Sequence, residues 1–296
     1  MSNIAFIGVG NMGLPMLENL IKAGNQVTAF DLSESARNGA AEAGAIIEVS
    51  PKVAVKNKEI VVTMLPAGPE VRAVYLEDDG IIPHVSAGTL LIDCSTIDVL
   101  TARDITKAAE SKDLEMLDAP VSGGVMGAKA GALTFMVGGT ERAFDRAEAV
   151  LEPMAKTVVY AGPAGNGQAA KICNNMMLAA GMIVTSEAFR LADSLGLDRQ
   201  TMFDISSRAT GQCWALTNYC PVPGPVPTSP ANNDYRAGFT AAMMGKDLAL
   251  AMQAAKEAGI SLPLGAEAER LYSAFCAAGY EEIDFSGIFK YVEPLE

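Results

Sequence analysis

Lys171 and Asn175 stand four apart in the run Gly165-Asn166-Gly167-Gln168-Ala169-Ala170-Lys171-Ile172-Cys173-Asn174-Asn175. On a helix they share one face. A lysine on a helix otherwise rich in Ala and Met is unfavourable to bury unless it is used or paired. As a neutral amine it could take the proton of an alcohol while hydride leaves the carbon, and as an ammonium it could return that proton in reduction. This requires a lowered pKa, which burial and a nearby cation supply. The competing reading is a lysine snorkelling to the surface, the commoner fate of a single lysine. A second group is Asp118-Ala119-Pro120-Val121-Ser122-Gly123-Gly124. The N–H groups of Ser122, Gly123 and Gly124, with one hydroxyl, suit a small carboxylate, although an ordinary glycine turn is the commoner meaning of such a string. In the third, Lys246-Asp247 interrupts an apolar helix. Helix neighbours point about 100° apart, so the two are not expected to pair. Lys246 either reaches toward a ligand or belongs to a solvated charged face.

A fourth group binds. Gly8-Val9-Gly10-Asn11-Met12-Gly13 follows an apolar strand and opens a helix. Gly8 permits a tight turn, Gly10 lets a pyrophosphate approach the backbone, and Gly13 allows close packing of helix on sheet. The helix N-terminus adds free N–H groups for phosphate oxygens. A glycine turn in a flavodoxin-like domain is the alternative, but here a second strand ends in Asp31. A carboxylate at that place accepts hydrogen bonds from the adenosine ribose and repels a 2′-phosphate, which selects NAD over NADP. It could also cap the next helix without conflict. Leu65-Pro66 and Cys94-Ser95-Thr96 end two further strands, on the sheet edge where open α/β folds bind ligands. Thr96 either holds the nicotinamide end or caps the helix that starts near Val99.

The elements needed to position these groups are legible. Short apolar strands are expected at residues 4–9, 27–31, 60–65, 90–93, 114–118, 133–137 and 158–160. Helical patterns lie between them at 13–23, 34–43, 70–76, 99–111 and 141–151. Several of the strands are continuously apolar, as in a sheet covered on both faces. The fold class is α/β, a doubly wound parallel sheet of Rossmann type followed by an all-α C-terminal domain. The Gly- and Pro-rich run at 162–167 puts the boundary between domains 1–163 and 164–296. After it come a long helix at 167–196 and further helices at 199–207, 239–258, 264–278 and 285–292, with no strand. Residues 220–238 hold five Pro, too many for an idle turn, and form either a lid or a surface excursion.

Bulk properties narrow the classes. The chain has 296 residues, 50% of them apolar, and a formal charge of −13, which disfavours nucleic acid and anionic membrane as partners. In so acidic a chain, an anionic cofactor and a carboxylate substrate depend on a few lysines and backbone N–H groups. The five cysteines include no C-x-x-C pair and are expected to be buried free thiols of a reducing compartment. A single histidine removes sites built on two His ligands and makes a Ser-His-Asp triad improbable. Met1 runs almost at once into the first strand, so no signal peptide is expected, and a cytoplasmic location follows.

Taken in order, Ile7 to Gly13, Asp118 to Gly124, Gly165 to Asn175 and Lys246-Asp247-Leu248 resemble the β-hydroxyacid dehydrogenases, over essentially the whole chain. The resemblance implies that Lys171 is the catalytic lysine, that Ser122, Gly123 and Gly124 clamp the substrate carboxylate, and that Asn175 orients lysine and substrate. It also implies that Leu65, Pro66, Glu70, Thr96 and Lys246 line the NAD site together with Gly8, Gly10, Asn11, Met12, Gly13 and Asp31. NADP-using relatives carry Arg just after the second strand, where this chain has Leu32. The family fold is a Rossmann-type domain, a linking helix and an all-α domain that supports homo-oligomers, here a dimer or tetramer. Cys213-Trp214-Ala215-Leu216, the Pro-rich segment and Phe285 to Lys290 resemble the branch acting on 3-hydroxyisobutyrate, not the shorter tartronate-semialdehyde reductases. The expected reaction is oxidation of 3-hydroxyisobutyrate to methylmalonate semialdehyde with NAD and no metal, as in valine catabolism. L-serine or another small 3-hydroxy acid is the alternative substrate. A non-catalytic dinucleotide-binding scaffold is the alternative of another class, and the presence of Lys171 argues against it.

Overall fold

Strand residues with apolar side chains on both faces need helices on both faces. The computed structural model describes residues 1–292, and its first compact unit, Met1–Lys171, meets that need. Its strands are β1 (Asn3–Ile7), β2 (Gln26–Phe30), β3 (Ile46–Ile47), β4 (Ile60–Thr63), β5 (Leu90–Asp93), β6 (Glu115–Asp118), β7 (Val121–Ser122), β8 (Leu133–Gly138) and β9 (Ala155–Gly162). They form one sheet in the order β3-β2-β1-β4-β5-β6-β8-β7, with β9 on β8. The helices are α1 (Gly13–Lys22), α2 (Glu34–Glu42), α3 (Pro51–Ala54), α4 (Gly68–Leu76), α5 (Val99–Glu110), α6 (Gly124–Lys129), α7 (Glu141–Leu151) and the start of α8 (Asn166–Ser194).

Alternation sorts the strand side chains between two cores. Ile4, Phe6, Val62, Ile92 and Leu117 pack with Met16, Leu17 and Leu20 of α1 and with Ala147 and Leu151 of α7. Ala5, Ile7, Val61, Leu91 and Met116 pack with Val71 and Tyr75 of α4 and with Ile105 and Ala109 of α5. Each large side chain so buried contributes about 1.5–3 kcal/mol. β1 to β6 pair in parallel. The sheet is not parallel throughout, because β8 runs antiparallel to β6 and β7. The stretch from β7 to β8 holds only the short α6, less than a parallel crossover needs, so the chain reverses. Two-residue β7 and β3 carry no readable period, and neither is foreseen from sequence.

In the second unit, from Ile172 onward, the remaining turns of α8 are followed by α9 (Arg199–Ser206), α10 (Trp214–Thr217), α11 (Ala241–Glu257) and α12 (Pro263–Phe275). Ala179, Met182 and Ile183 of α8 pack with Met244 and Leu248 of α11, Tyr272 and Phe275 of α12, and Phe285 and Ile288. Phe285–Lys290 is a 3-10 turn where a helix over 285–292 is expected. The Pro-rich stretch is a folded excursion. Cys220, Val222 and Val226 join a small core with Phe189, Leu216 and Phe289. The hydroxyls of Ser229 and Tyr235 donate to the carbonyls of Cys220 and Pro221, at 2.6 and 2.7 Å.

Candidate active site

The three glycines of the first loop are needed for different reasons. Gly8 takes φ +91°, and a Cβ there would overlap the Met64 carbonyl oxygen. A Cβ at Gly13 would overlap the carbonyl oxygen of Gly8. Both positions are required by the protein's own packing. At Gly10 a Cβ would meet no atom within 4 Å, so the protein's own packing does not require a glycine there. Asn11 and Met12 complete the turn into α1, with Met12 at the N-cap and no side-chain cap bond, as suits a helix end offered to an anion. The Asp31 carboxylate accepts the N–H of Val9 and the N–H of Ser33, each at 2.8 Å. Glycine loop and acid are thus one unit. Two bonds fix the carboxylate's orientation and leave acceptor capacity for ribose hydroxyls. Ser33, not Asp31, caps α2. Arg37 spends Nη1 on the carbonyls of Asp31 and Leu32. These residues fit a dinucleotide with an unmodified ribose.

The next two strand ends are tied together. The N–H of Leu65 donates to the Ser95 hydroxyl at 2.8 Å, and that hydroxyl donates to Asp93 Oδ1 at 2.6 Å. Asp93 Oδ1 also accepts from Thr63 Oγ1 at 2.7 Å. Leu65 and Thr96 are half-buried, Pro66 is exposed, and Glu70 is exposed on the first turn of α4. Asp98 caps α5, so the capping role considered for Thr96 is taken by another residue. A cavity of about 570 Å³ lined by Lys58, Thr89 and Arg146 lies where the strands begin, the wrong edge of the sheet for a ligand of such a fold.

β7 ends in Ser122, and Gly123 and Gly124 follow at φ +132° and +61°, a backbone that glycine adopts without strain. The aspartate that opens this motif acts on the lysine helix. Asp118 Oδ1 accepts the N–H of Gly165 at 2.7 Å and Oδ2 that of Gln168 at 2.9 Å, so a residue from β6 caps the start of α8. Burial pushes the Asp118 carboxyl up to about 6, against the lowering effect of these two bonds, with Asp93 adding a raising charge. The motif of the proposed clamp and the lysine motif are thereby joined within one unit. Lys171, the last residue of that unit, is 7% exposed, so it is no snorkelling lysine.

In the second unit the geometry corrects one expectation. Lys246 Nζ lies 3.3 Å from Asp247 Oδ1, so the two neighbours do pair. Their Cβ directions diverge, but the lysine's four-carbon stem folds back to a carboxylate that stays buried. The other oxygen of Asp247 accepts from Asn175 Nδ2 at 2.5 Å, and Asn175 Oδ1 accepts from Asn174 Nδ2 at 3.0 Å. Asn175 and Lys246 are therefore linked through Asp247, a residue of the Lys246-Asp247 motif to which the sequence alone gave no role. Its one signal was an acid inside an apolar helix. All five cysteines are free, as expected, but only Cys94 and Cys220 are buried; Cys213 and Cys276 are half-buried and Cys173 is exposed.

Known proteins fit this geometry in both halves. Residues 3–162 match the NAD binding domain of 6-phosphogluconate dehydrogenase, and residues 165–292 match the NAD-binding domain of NADP-dependent 3-hydroxyisobutyrate dehydrogenase. A probable 3-hydroxyisobutyrate dehydrogenase of Mycobacterium tuberculosis is 50% identical over 288 residues, 97% of either chain. The chain belongs to the 3-hydroxyisobutyrate dehydrogenase family. It is an NAD-dependent hydroxyacid dehydrogenase, and the scaffold alternative falls. An NAD-dependent L-serine dehydrogenase of Pseudomonas aeruginosa is 46% identical over 296 residues, covering 100% of this chain and 99% of that one. The solved structure of the Mycobacterium tuberculosis 3-hydroxyisobutyrate dehydrogenase with L-serine superposes with a TM-score of 0.95 at 49% identity, covering 99% of this chain and all of that one.

Proposed function

We propose that the enzyme oxidises 3-hydroxyisobutyrate to methylmalonate semialdehyde, with Lys171 as general base, the reaction that valine catabolism requires. The observation that carries this reading is the burial of Lys171 in a helix whose first turn is capped by Asp118. Bound NAD supplies the hydride acceptor. Ser122, Gly123 and Gly124 hold the carboxylate and fix the hydroxymethyl carbon for transfer. The Lys171 amine takes the hydroxyl proton as the carbonyl forms, and its ammonium returns it in the reverse direction. Asn175, held by Asp247, orients the hydroxyl. Thr96, Leu65, Pro66, Glu70 and Lys246 line the cofactor. The dinucleotide-binding domain is residues 1–163 and the all-α domain residues 164–296. Replacing Lys171 with Ala should lower kcat at least about 10³-fold while the Kd for NADH stays within about threefold. Steady-state rates beside a fluorescence titration check this, and near-wild-type turnover would sink the role.

L-serine is the second reading, favoured by the Pseudomonas aeruginosa relative's name and by the serine in the Mycobacterium tuberculosis structure. The ratio of kcat/KM for 3-hydroxyisobutyrate and L-serine decides between them. The free thiols support a reducing, cytoplasmic setting. A homo-oligomer, dimer or tetramer, is supported by a stripe of exposed apolar residues on α8, Met177, Val184 and Leu191, continued by Leu195 just past its end.

A further inference from the structure

Gln168 is fully buried, with no exposed surface, and none of the steps above uses its side chain. Its carboxamide makes two bonds to one loop. Nε2 donates to the Ser95 carbonyl at 2.8 Å, and Oε1 accepts the N–H of Ile97 at 3.1 Å. The two backbone groups flank Thr96. The N–H of Gln168 itself goes to Asp118. Ser95 is held in turn by Asp93 and accepts the N–H of Leu65. One residue before Gln168, Gly167 leaves no room for a side chain, since a Cβ there would overlap the Met136 carbonyl oxygen. The first turn of α8 is therefore pressed against the sheet and pinned by side-chain amide and backbone alike.

We infer that Gln168 is a positioning residue that sets the rotation and height of Lys171 relative to the Thr96 loop by clasping the peptide groups on either side of Thr96. Lys171 follows Gln168 by three residues, less than one turn, so little helix lies between the clasp and the amine to absorb an error. A misplacement near 1 Å costs about 10²-fold in a step that needs aligned transfer. A glutamine that only filled a buried polar site would affect folding and leave the chemical step alone. The inference rests on Lys171 as the proton-transfer group.

The test uses the full-length enzyme with Q168M, which keeps length and removes both bonds, and Q168E, which keeps shape and the acceptor for Ile97 but sets a carboxylate oxygen against the Ser95 carbonyl. K171A is run alongside. Rates are expressed per NADH-binding site, so loss of folded protein is removed from the comparison. We expect kcat to fall about 10²-fold in Q168M, with NADH Kd within about threefold of wild type. The deuterium isotope effect on kcat, with substrate labelled at the hydroxymethyl carbon, should rise. If Q168M does not fold, Q168E carries the same readouts. Wild-type kcat per site and an unchanged isotope effect in either folded variant overturn the positioning role. If K171A retains wild-type turnover, the proton-transfer reading fails and this inference with it. An inactive K171A beside wild-type Gln168 variants overturns this inference alone.

Discussion

Gly10 and Gly13 share a motif but answer to different demands. A side chain at Gly13 collides with the backbone of Gly8, whereas one at Gly10 meets nothing of the protein. Gly10→Ala should therefore melt like the wild type and bind NADH about tenfold or more weakly, because the added methyl occupies space meant for the pyrophosphate. Gly13→Ala should instead lower the melting temperature. Differential scanning fluorimetry beside a fluorescence titration separates the two, and equal effects at both sites would refute the division. The type and order of these residues were readable, because the loop needs glycines at a set spacing. The pairing of Lys246 with Asp247 was not, since Cβ directions say nothing of where a long flexible stem turns.

At the scale of elements, the start of α8 depends on an acid that sits far off in the chain. The Asp118 carboxyl titrates near 6 in the folded protein, above the usual range near 4. Between about pH 4 and 6 the folded state thus holds a proton that the unfolded state releases. Stability from this group is fully present below pH 4 and is lost as pH rises through 6. Asp118→Asn cannot ionise, so its urea midpoint should change less between pH 4.5 and 7 than that of the wild type. Parallel slopes for the two proteins would count against the shift. Most strands and helices were legible from period and caps. The 141–151 and 90–93 elements fall where expected. Asp118's capping of α8 was not legible, because nothing near Gly165 in sequence marks a partner 47 residues away.

For the whole molecule, the exposed stripe on α8 sets a solubility problem that a second copy of the chain would solve. Met177, Val184 and Leu191 recur every seven residues, and Leu195 is 75% exposed. Such spacing puts them on one helix face. Placing Glu at both Val184 and Leu191 should lower the oligomer order measured by light scattering. An unchanged mass would remove the stripe from the interface. Among the described residues no helix is long and apolar enough to cross a membrane.

Sequence alone determined the order of the main strands and helices, the glycine loop with Asp31, and the candidacy of Lys171, because each leaves a local mark in spacing or residue type. Only tertiary structure decided which neutral or acidic residues hold those groups in place. Gln168 reaches Ser95 across 73 residues, and Asp247 reaches Asn175 across 72. A buried amide or carboxylate takes whichever partner the packing brings within 3 Å, and no local pattern encodes that meeting.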